Sequence, residues 1–303
     1  MDREHARMMS LICFGFGYCA EHFVATYSEK FGSIIGTVRG AERAAIINAY
    51  GGGRLQAMVF DGASGSAELS HAISAADYIL VSAPPAESGD PVLAVLADVL
   101  TQAKRLRAIV YLSTIGVYGD RGGAWVDETA EPQPDSGRAS ARLAAEKAWQ
   151  RAGERSGASV AVLRLAGIYG PGQNALEQIT RGKARRIIKS DQIFNRVHVA
   201  DIAQAIDAAF TRRASGIFNV ADDEPSPPAD PIVFAAQLLD VDPPPEIPFA
   251  QAAPSMSPLG LSFWQECRRV KNDKLKRELG VTLRYPTYRE GLKALMEDRP
   301  PAR

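Results

Sequence analysis

The chain has 303 residues, enough for about two domains at a prior of roughly 150 residues each. Lys+Arg and Asp+Glu are equal at 35, so the net charge is zero and the overall basic excess of a nucleic-acid binder is missing, leaving only a local basic stretch at Arg181–Lys189. The apolar fraction is 46%, no apolar run reaches the ~18–20 residues of a membrane helix, and Cys13, Cys19 and Cys267 form no CxxC pair, which argues against a disulfide framework and a metal site.

The N-terminal segment, Met1–Ser10, is polar and lacks a signal-peptide core, so a cytoplasmic location is expected. Short runs rich in Ile, Val and Leu follow at Leu11–Phe14, Ser33–Val38, Leu55–Phe60, Tyr78–Ser82, Ala108–Ser113, Val160–Leu165 and Gly216–Val220. Such runs suit strands buried on both faces. Helix-length segments lie between them at Tyr18–Lys30, Ala41–Tyr50, Ala67–Ser74, Pro91–Arg105 and Ala139–Ser156. The alternation implies an α/β fold with a doubly wound parallel sheet. Asp222–Pro231 and Asp240–Pro258 are proline-rich and read as loops. Helical patterns resume at Ile232–Leu239, Lys271–Leu279 and Tyr288–Met296, with Gly280 placed to cap the second. The expected division is a domain over 10–170, its sheet completed by 196–221, and a small, mostly helical lobe from 171–195 and 222–297.

The first run leads straight into Gly15-Phe16-Gly17-Tyr18-Cys19-Ala20 and then a helical segment. This is G-x-G-x-x-A after a strand and before a helix, the setting in which the pattern carries meaning. Gly15 allows the tight turn, Gly17 admits a pyrophosphate to the backbone, and Ala20 lets the helix pack on the strand. The anion then meets free N–H groups at the helix N-terminus. The spacing therefore points to a dinucleotide on a Rossmann-type domain. Cys13 and Cys19 read as small buried residues.

The second run ends Thr37-Val38-Arg39, where an NAD site normally offers a carboxylate to the ribose 2′-hydroxyl. Arg39, with Arg43 one turn on, suits a 2′-phosphate, which favours NADP(H) over NAD(H). The alternative is a solvated strand-end arginine. Asp61 can reach the adenine amino group or serve as a turn cap. Ser82-Ala83-Pro84 closes the fourth run, in the loop that passes beside the nicotinamide side.

Four more segments carry a resemblance: Leu112–Gly119 (LSTIGVYG), Leu163–Gly172 (LRLAGIYGPG), Arg196–Ile202 (RVHVADI) and Phe218–Asp223 (FNVADD). Together with the glycine turn they resemble the short-chain dehydrogenase/reductase superfamily, in its extended branch of nucleotide-sugar epimerases, dehydratases and reductases. The resemblance covers about residues 10 to 297. It implies an NAD(P)-binding Rossmann fold, a small-molecule substrate and a possible homodimer through the helix 139–156. It also implies a Tyr acting as general acid/base, a Lys four residues later that lowers its pKa, and a Ser or Thr at the fifth strand end. The i, i+4 spacing puts Tyr and Lys on one helix face.

Thr114, beside Ser113, fits the Ser/Thr position. The Tyr and Lys positions hold Arg138 and Arg142. Arg142 can supply charge near the ribose, but a guanidinium stays protonated and cannot act as the acid. The chain in this respect resembles atypical members of the superfamily, and its G-x-G-x-x-A, where extended members usually show G-x-x-G-x-x-G, points the same way. Three readings stay open: an oxidoreductase with a relocated acid, a non-catalytic NADP(H) sensor, and a sugar-nucleotide enzyme with altered chemistry. Candidate acids are Tyr118 and Tyr169, each equally readable as a packing aromatic. His198 is a catalytic or a core histidine, Asp201 a helix cap or a partner for a base, and Arg196 and Arg138 are candidate anion ligands or solvated side chains.

Overall fold

The structure, a computed structural model, describes residues 8–299; the first seven residues of the polar N-terminal segment lie outside them. Seven strands form the main sheet: β1 (Met9–Phe14), β2 (Phe31–Val38), β3 (Leu55–Val59), β4 (Tyr78–Val81), β5 (Ala108–Thr114), β6 (Ser159–Leu165) and β7 (Gly216–Val220). Their order is β7-β6-β5-β4-β1-β2-β3. β1 pairs in parallel with both β2 and β4, so Leu11 has Ile34 on one side and Tyr78 on the other. The order reverses beside β1, which makes the β1–β4 junction the switch point where such sheets bind ligands. β4 is buried along its whole length, as a strand covered on both faces must be.

The helices between the strands are α1 (Tyr18–Tyr27), α2 (Ala41–Tyr50), α3 (Ala67–Ala75), α4 (Pro91–Gln102) and α5 (Gly137–Ser156). Local chemistry starts two of them. Ser66 accepts from the Leu69 N–H, and Asp90 accepts from Val92 and Leu93 with Pro91 at the first helical position. Asp90 has a second task, because the Trp149 indole donates to its other oxygen at 2.8 Å. That bond joins α5 to the start of α4 within a core that also holds Ile12, Phe14, Ile79, Leu96, Ile109 and Tyr111.

The chain divides into two compact units. Among the described residues the first comprises 8–114, 137–163 and 203–218; the second comprises 115–136, 164–202 and 219–299. Segments 115–136, 164–170 and 196–202, expected with the nucleotide domain, cluster with the second unit instead. That unit holds three short parallel strand pairs: Gly167–Tyr169 with Arg196–His198, Trp125–Val126 with Arg269–Val270, and Arg186–Ile188 with Glu246–Pro248. Its larger core packs Tyr169, Leu176, Ile232, Tyr288 and Leu292. Thr287 and Glu290 form a capping box at the start of the helix Tyr288–Glu297.

Four α-helices among the described residues exceed the sequence expectation, the shortest being Phe249–Ala252. Val199–Arg212 lies wholly inside the 196–221 stretch assigned to completing the sheet, although its apolar residues recur with helical spacing. Ala175–Thr180 is capped by Asn174. Pro258–Gln265 begins where a proline-rich loop was expected to end, because Ser257 caps it and Pro258 takes the first helical position, where proline is tolerated. At the other extreme, Tyr18–Lys30 stops as an α-helix at Tyr27 and tightens into a 3₁₀ turn.

Candidate dinucleotide and active site

In the first unit the C-terminal ends of β1, β2, β3, β4 and β5 carry most of the residues singled out above. Gly15 sits at φ +83°, in the left-handed region, and a Cβ there would lie 2.6 Å from the Ala83 N. Both facts demand glycine. The turn is pinned to β2, with Gly15 N–H donating to Thr37 Oγ1 at 3.0 Å and Phe16 N–H to the Thr37 carbonyl at 2.8 Å. It is matched by β4, where the Ser82 and Ala83 N–H groups both donate to the Phe14 carbonyl. Phe16 serves this turn by its backbone. Its ring is buried against Gly36, where a Cβ would come within 2.6 Å of it.

Gly17 is different. Its φ of −119° suits any residue, and a Cβ there would meet nothing within 4 Å. It is the N-cap of α1, and no side chain caps that end. Neither backbone strain nor packing explains the glycine, and the start of α1, with the positive end of its dipole, leaves room for close approach by an anion. Tyr18 flanks the turn, its phenol pushed up to about 12 by burial. Cys19 and Ala20 are buried in the first turn of α1. Burial raises the Cys19 thiol to about 11 and the Cys13 thiol further, so neither is a nucleophile at neutral pH.

Arg39 is exposed at the end of β2 with no carboxylate partner among the described residues, whereas Arg43 is ion-paired to Glu21. Asp61 uses one oxygen to accept from the Ala63 N–H, a turn cap that leaves its other oxygen available. Pro84 is exposed in the loop after β4.

At the end of β5, Ser113 is buried and donates to Glu146 Oε1 at 2.5 Å. Its neighbour Thr114 is half-buried. Arg142, half-buried on α5, donates through Nη1 to the Leu112 carbonyl at 3.0 Å and to the Tyr111 hydroxyl at 3.3 Å. Its guanidinium lies 5.7 Å from the centre of the Tyr111 ring. Burial pushes that phenol up to about 12, against the pull of Arg142. Arg138, one turn earlier, is exposed. Thus Thr114 and Arg142 are both tied to β5, and Nε and Nη2 of Arg142 make no hydrogen bond among the described residues.

The remaining candidates belong to the second unit. Tyr118 is fully buried. Its hydroxyl donates to Asn219 Oδ1 at 2.8 Å, and the Arg164 guanidinium lies 4.7 Å from its ring centre. Tyr169 donates to the Thr287 carbonyl at 3.3 Å and packs its ring on Gly291, where a Cβ would collide with it. Burial, then the Asp222 and Asp201 carboxylates, raise the Tyr169 phenol far above its ordinary value. His198 is buried, takes an N–H from Ala200 on Nδ1, and touches the rings of Tyr169 and Tyr285. Arg196 donates to Ser226 Oγ at 2.8 Å and to the Phe194 carbonyl at 3.2 Å. Asp201 lies in the first turn of Val199–Arg212 and accepts from the Arg284 and Tyr285 N–H groups, so it holds another segment rather than capping its own helix.

Sequence reasoning missed Asp222. It is buried, with Oδ1 accepting from the Glu224 N–H and Oδ2 without a hydrogen-bond partner among the described residues, and burial pushes its carboxyl up to about 8. Its only sequence signal was membership of Phe218–Asp223. Glu146, the Ser113 partner, was legible as the residue one turn past Arg142. Among the described residues no cluster of three His, Cys, Asp or Glu is arranged to hold a metal, and no helix is long and apolar enough to cross a membrane.

Residues 82–221 match the family model "NAD dependent epimerase/dehydratase family". The chain is 30% identical over 139 residues to a 3-diazoavenalumate denitrifying reductase of a Streptomyces species, a match covering 43% of this chain and 45% of that protein. It is 30% identical over 183 residues to Protein YeeZ of Escherichia coli K12, covering 57% and 63%. The chain thus spans less than two thirds of either relative. A conserved protein of unknown function from Silicibacter pomeroyi is 41% identical and superimposes with a TM-score of 0.84 over 96% of this chain and 99% of that one. dTDP-glucose 4,6-dehydratase of Bacillus anthracis, solved in complex with NAD, shares the fold at 17% identity, with a TM-score of 0.74 over 95% and 96%. The glycine turn at the switch point, the strand order and these matches converge on one fold, and within it residues 82–221 match the NAD dependent epimerase/dehydratase family model.

Proposed function

We propose that this protein is an NADP(H)-binding oxidoreductase or epimerase/dehydratase-like enzyme that acts on a small molecule without the usual Tyr–Lys pair. The carrying observation is Gly17, a glycine that neither its φ nor its neighbours require, at an uncapped helix N-terminus. The residues of this turn fit a pyrophosphate. A bound nicotinamide would supply hydride transfer.

The chain's own residues divide the rest of the work. Arg39 supports the NADP(H) preference, because it stands at the end of β2 where the pattern places a 2′-phosphate and has no competing carboxylate among the described residues. Thr114 hydrogen-bonds the reacting substrate oxygen. Arg142 places a permanent positive charge beside it, held in position by Leu112 and Tyr111. A guanidinium stabilises developing negative charge on that oxygen but does not release a proton near pH 7. The proton therefore comes from solvent or from the substrate itself. Arg138 extends the cationic face toward an anionic substrate. Tyr118, with its hydroxyl committed to Asn219, serves packing rather than proton transfer.

The test is a titration with NADPH and NADH, read by thermal shift and nicotinamide fluorescence. The expected result is tighter NADPH binding, with the preference abolished in Arg39→Ala. Equal affinities in the native protein would remove the NADP(H) assignment, and binding of neither nucleotide would sink the enzyme reading.

A further inference from the structure

The opposite edge of the first unit's sheet, where strands begin, holds a cleft of about 550 Å³. Its lining includes Asp77, Lys104, Arg105, Arg107, Gly157 and Arg213, and no aromatic residue. Asp77 precedes β4, Lys104–Arg107 precede β5, Gly157 precedes β6 and Arg213 precedes β7. One carboxylate thus faces four cations. Asp77 is buried and already accepts the Ser10 N–H at 3.0 Å and the Ser10 hydroxyl at 3.1 Å. It pairs with Arg105 through Nη2 at 3.2 Å and with Arg107 through Nε at 3.3 Å. Holding Arg107 by Nε leaves both its terminal nitrogens as an oriented fork, the geometry that grips phosphate or carboxylate in pairs. Lys104 and Arg213 have no carboxylate partner among the described residues.

Helix dipoles account for part of this charge. α4, α5 and the helix Val199–Arg212 end at this edge, and cations favour helix C-termini. Arg155 and Arg212 already fill that role in the last turns of the latter two. Arg213 needs another reason. It is the residue after the cap in a Schellman turn, with Arg213 N–H donating to the Phe210 carbonyl and Ala214 N–H to the Ala209 carbonyl. Its φ is +47°, where a side chain is strained and glycine is preferred. α5 ends beside the same cleft with Gly157 at φ +78°, the relaxed choice. Of two left-handed positions lining one cleft, one is glycine and the other carries a guanidinium.

We propose that this cleft binds a compact polyanion, with two or more adjacent phosphoryl or carboxylate groups, between the Arg107 fork, Arg105, Lys104 and Arg213. The absence of an aromatic stacking surface and the small volume favour a small molecule over a nucleic-acid strand. Calorimetry of the full chain with inorganic pyrophosphate, tripolyphosphate and citrate tests it, citrate separating carboxylate from phosphoryl recognition. At least one of the three is expected to bind, and its affinity to fall at least tenfold in Arg213→Gly and in Lys104→Gln. NADPH binding stays unchanged in both. Arg213→Gly also raises the Tm, since it relieves the left-handed arginine, so loss of binding cannot come from misfolding. No binding by any of the three, or undiminished binding in both variants, overturns the proposal. So does binding of single-stranded RNA or anionic vesicles that none of the three displaces.

Discussion

The glycine turn of the first unit and the polar core of the second treat their hydrogen-bonding groups in opposite ways. Around Gly17 the donors at the start of α1 are left uncapped, and Arg39 stands exposed without a carboxylate. In the second unit Tyr118, Tyr169, Arg196 and Asp201 are each engaged by a named neighbour. A group with its partner inside the fold is specifying that fold. A group left open is available to a ligand. Residues of the same chemical type therefore carry different meanings in the two units, and side-chain identity alone does not separate them.

The largest expected effect tests the second half of that contrast. Asp201→Ala strands two backbone N–H groups, those of Arg284 and Tyr285, and is expected to cost about 3 kcal/mol in urea unfolding. Asp201→Asn keeps one acceptor and is expected to lose less. Equal stability of the alanine variant and the native protein would break the comparison. Gly17→Asp tests the first half. Aspartate is a good N-cap, so the fold is expected to hold or gain slightly. A carboxylate in the open space before α1 is expected to cost at least 100-fold in dinucleotide affinity, about 2.7 kcal/mol, by fluorescence titration. Unchanged affinity would remove Gly17 from the site.

Asp222 runs against the contrast: it belongs to the second unit, yet its Oδ2 has no hydrogen-bond partner among the described residues, and burial raises its carboxyl. Its pKa is raised from the ordinary carboxylate value to about 8 in the folded chain. Folding therefore favours the protonated form: the stabilisation is complete below about pH 4 and drains away as pH rises toward 8, with a slope approaching ~1.4 kcal/mol per pH unit. Asp222→Asn is expected to flatten this stretch of the stability–pH curve, measured by urea denaturation from pH 5 to 8. A curve as steep as that of the native protein would refute the assignment. The smallest stability effect is expected at Arg142. Its alanine variant loses the bonds to Leu112 and Tyr111, about 1 kcal/mol, while turnover with a competent substrate falls steeply and Arg142→Lys restores part of it. Full turnover in the alanine variant would exclude Arg142 from the chemistry.

The strands of the first unit and its helices α1 to α5 were legible because buried parallel strands must be apolar throughout and the segments between them have helical length. Ala41–Tyr50 and Gly216–Val220 match the expected limits at both ends. The helix Val199–Arg212 lies inside the stretch assigned to completing the sheet, and only the reading of Asp201 as a helix cap pointed to it. The short parallel pairs of the second unit, two or three residues each, are too brief to leave a periodic signal.

By itself, the sequence determined the α/β class, the glycine turn at its required place after β1, and the arginines where the family resemblance expects Tyr and Lys. Those follow from local periodicity, conformational demands and spacing, which are written in neighbouring residues. Only the tertiary structure shows which candidates are hydrogen-bonded to other segments of the fold. Asn219 reaches Tyr118 across 101 residues and Tyr285 reaches Asp201 across 84. A hydrogen bond between residues so far apart in sequence depends on how the chain folds back, and so has no local signature.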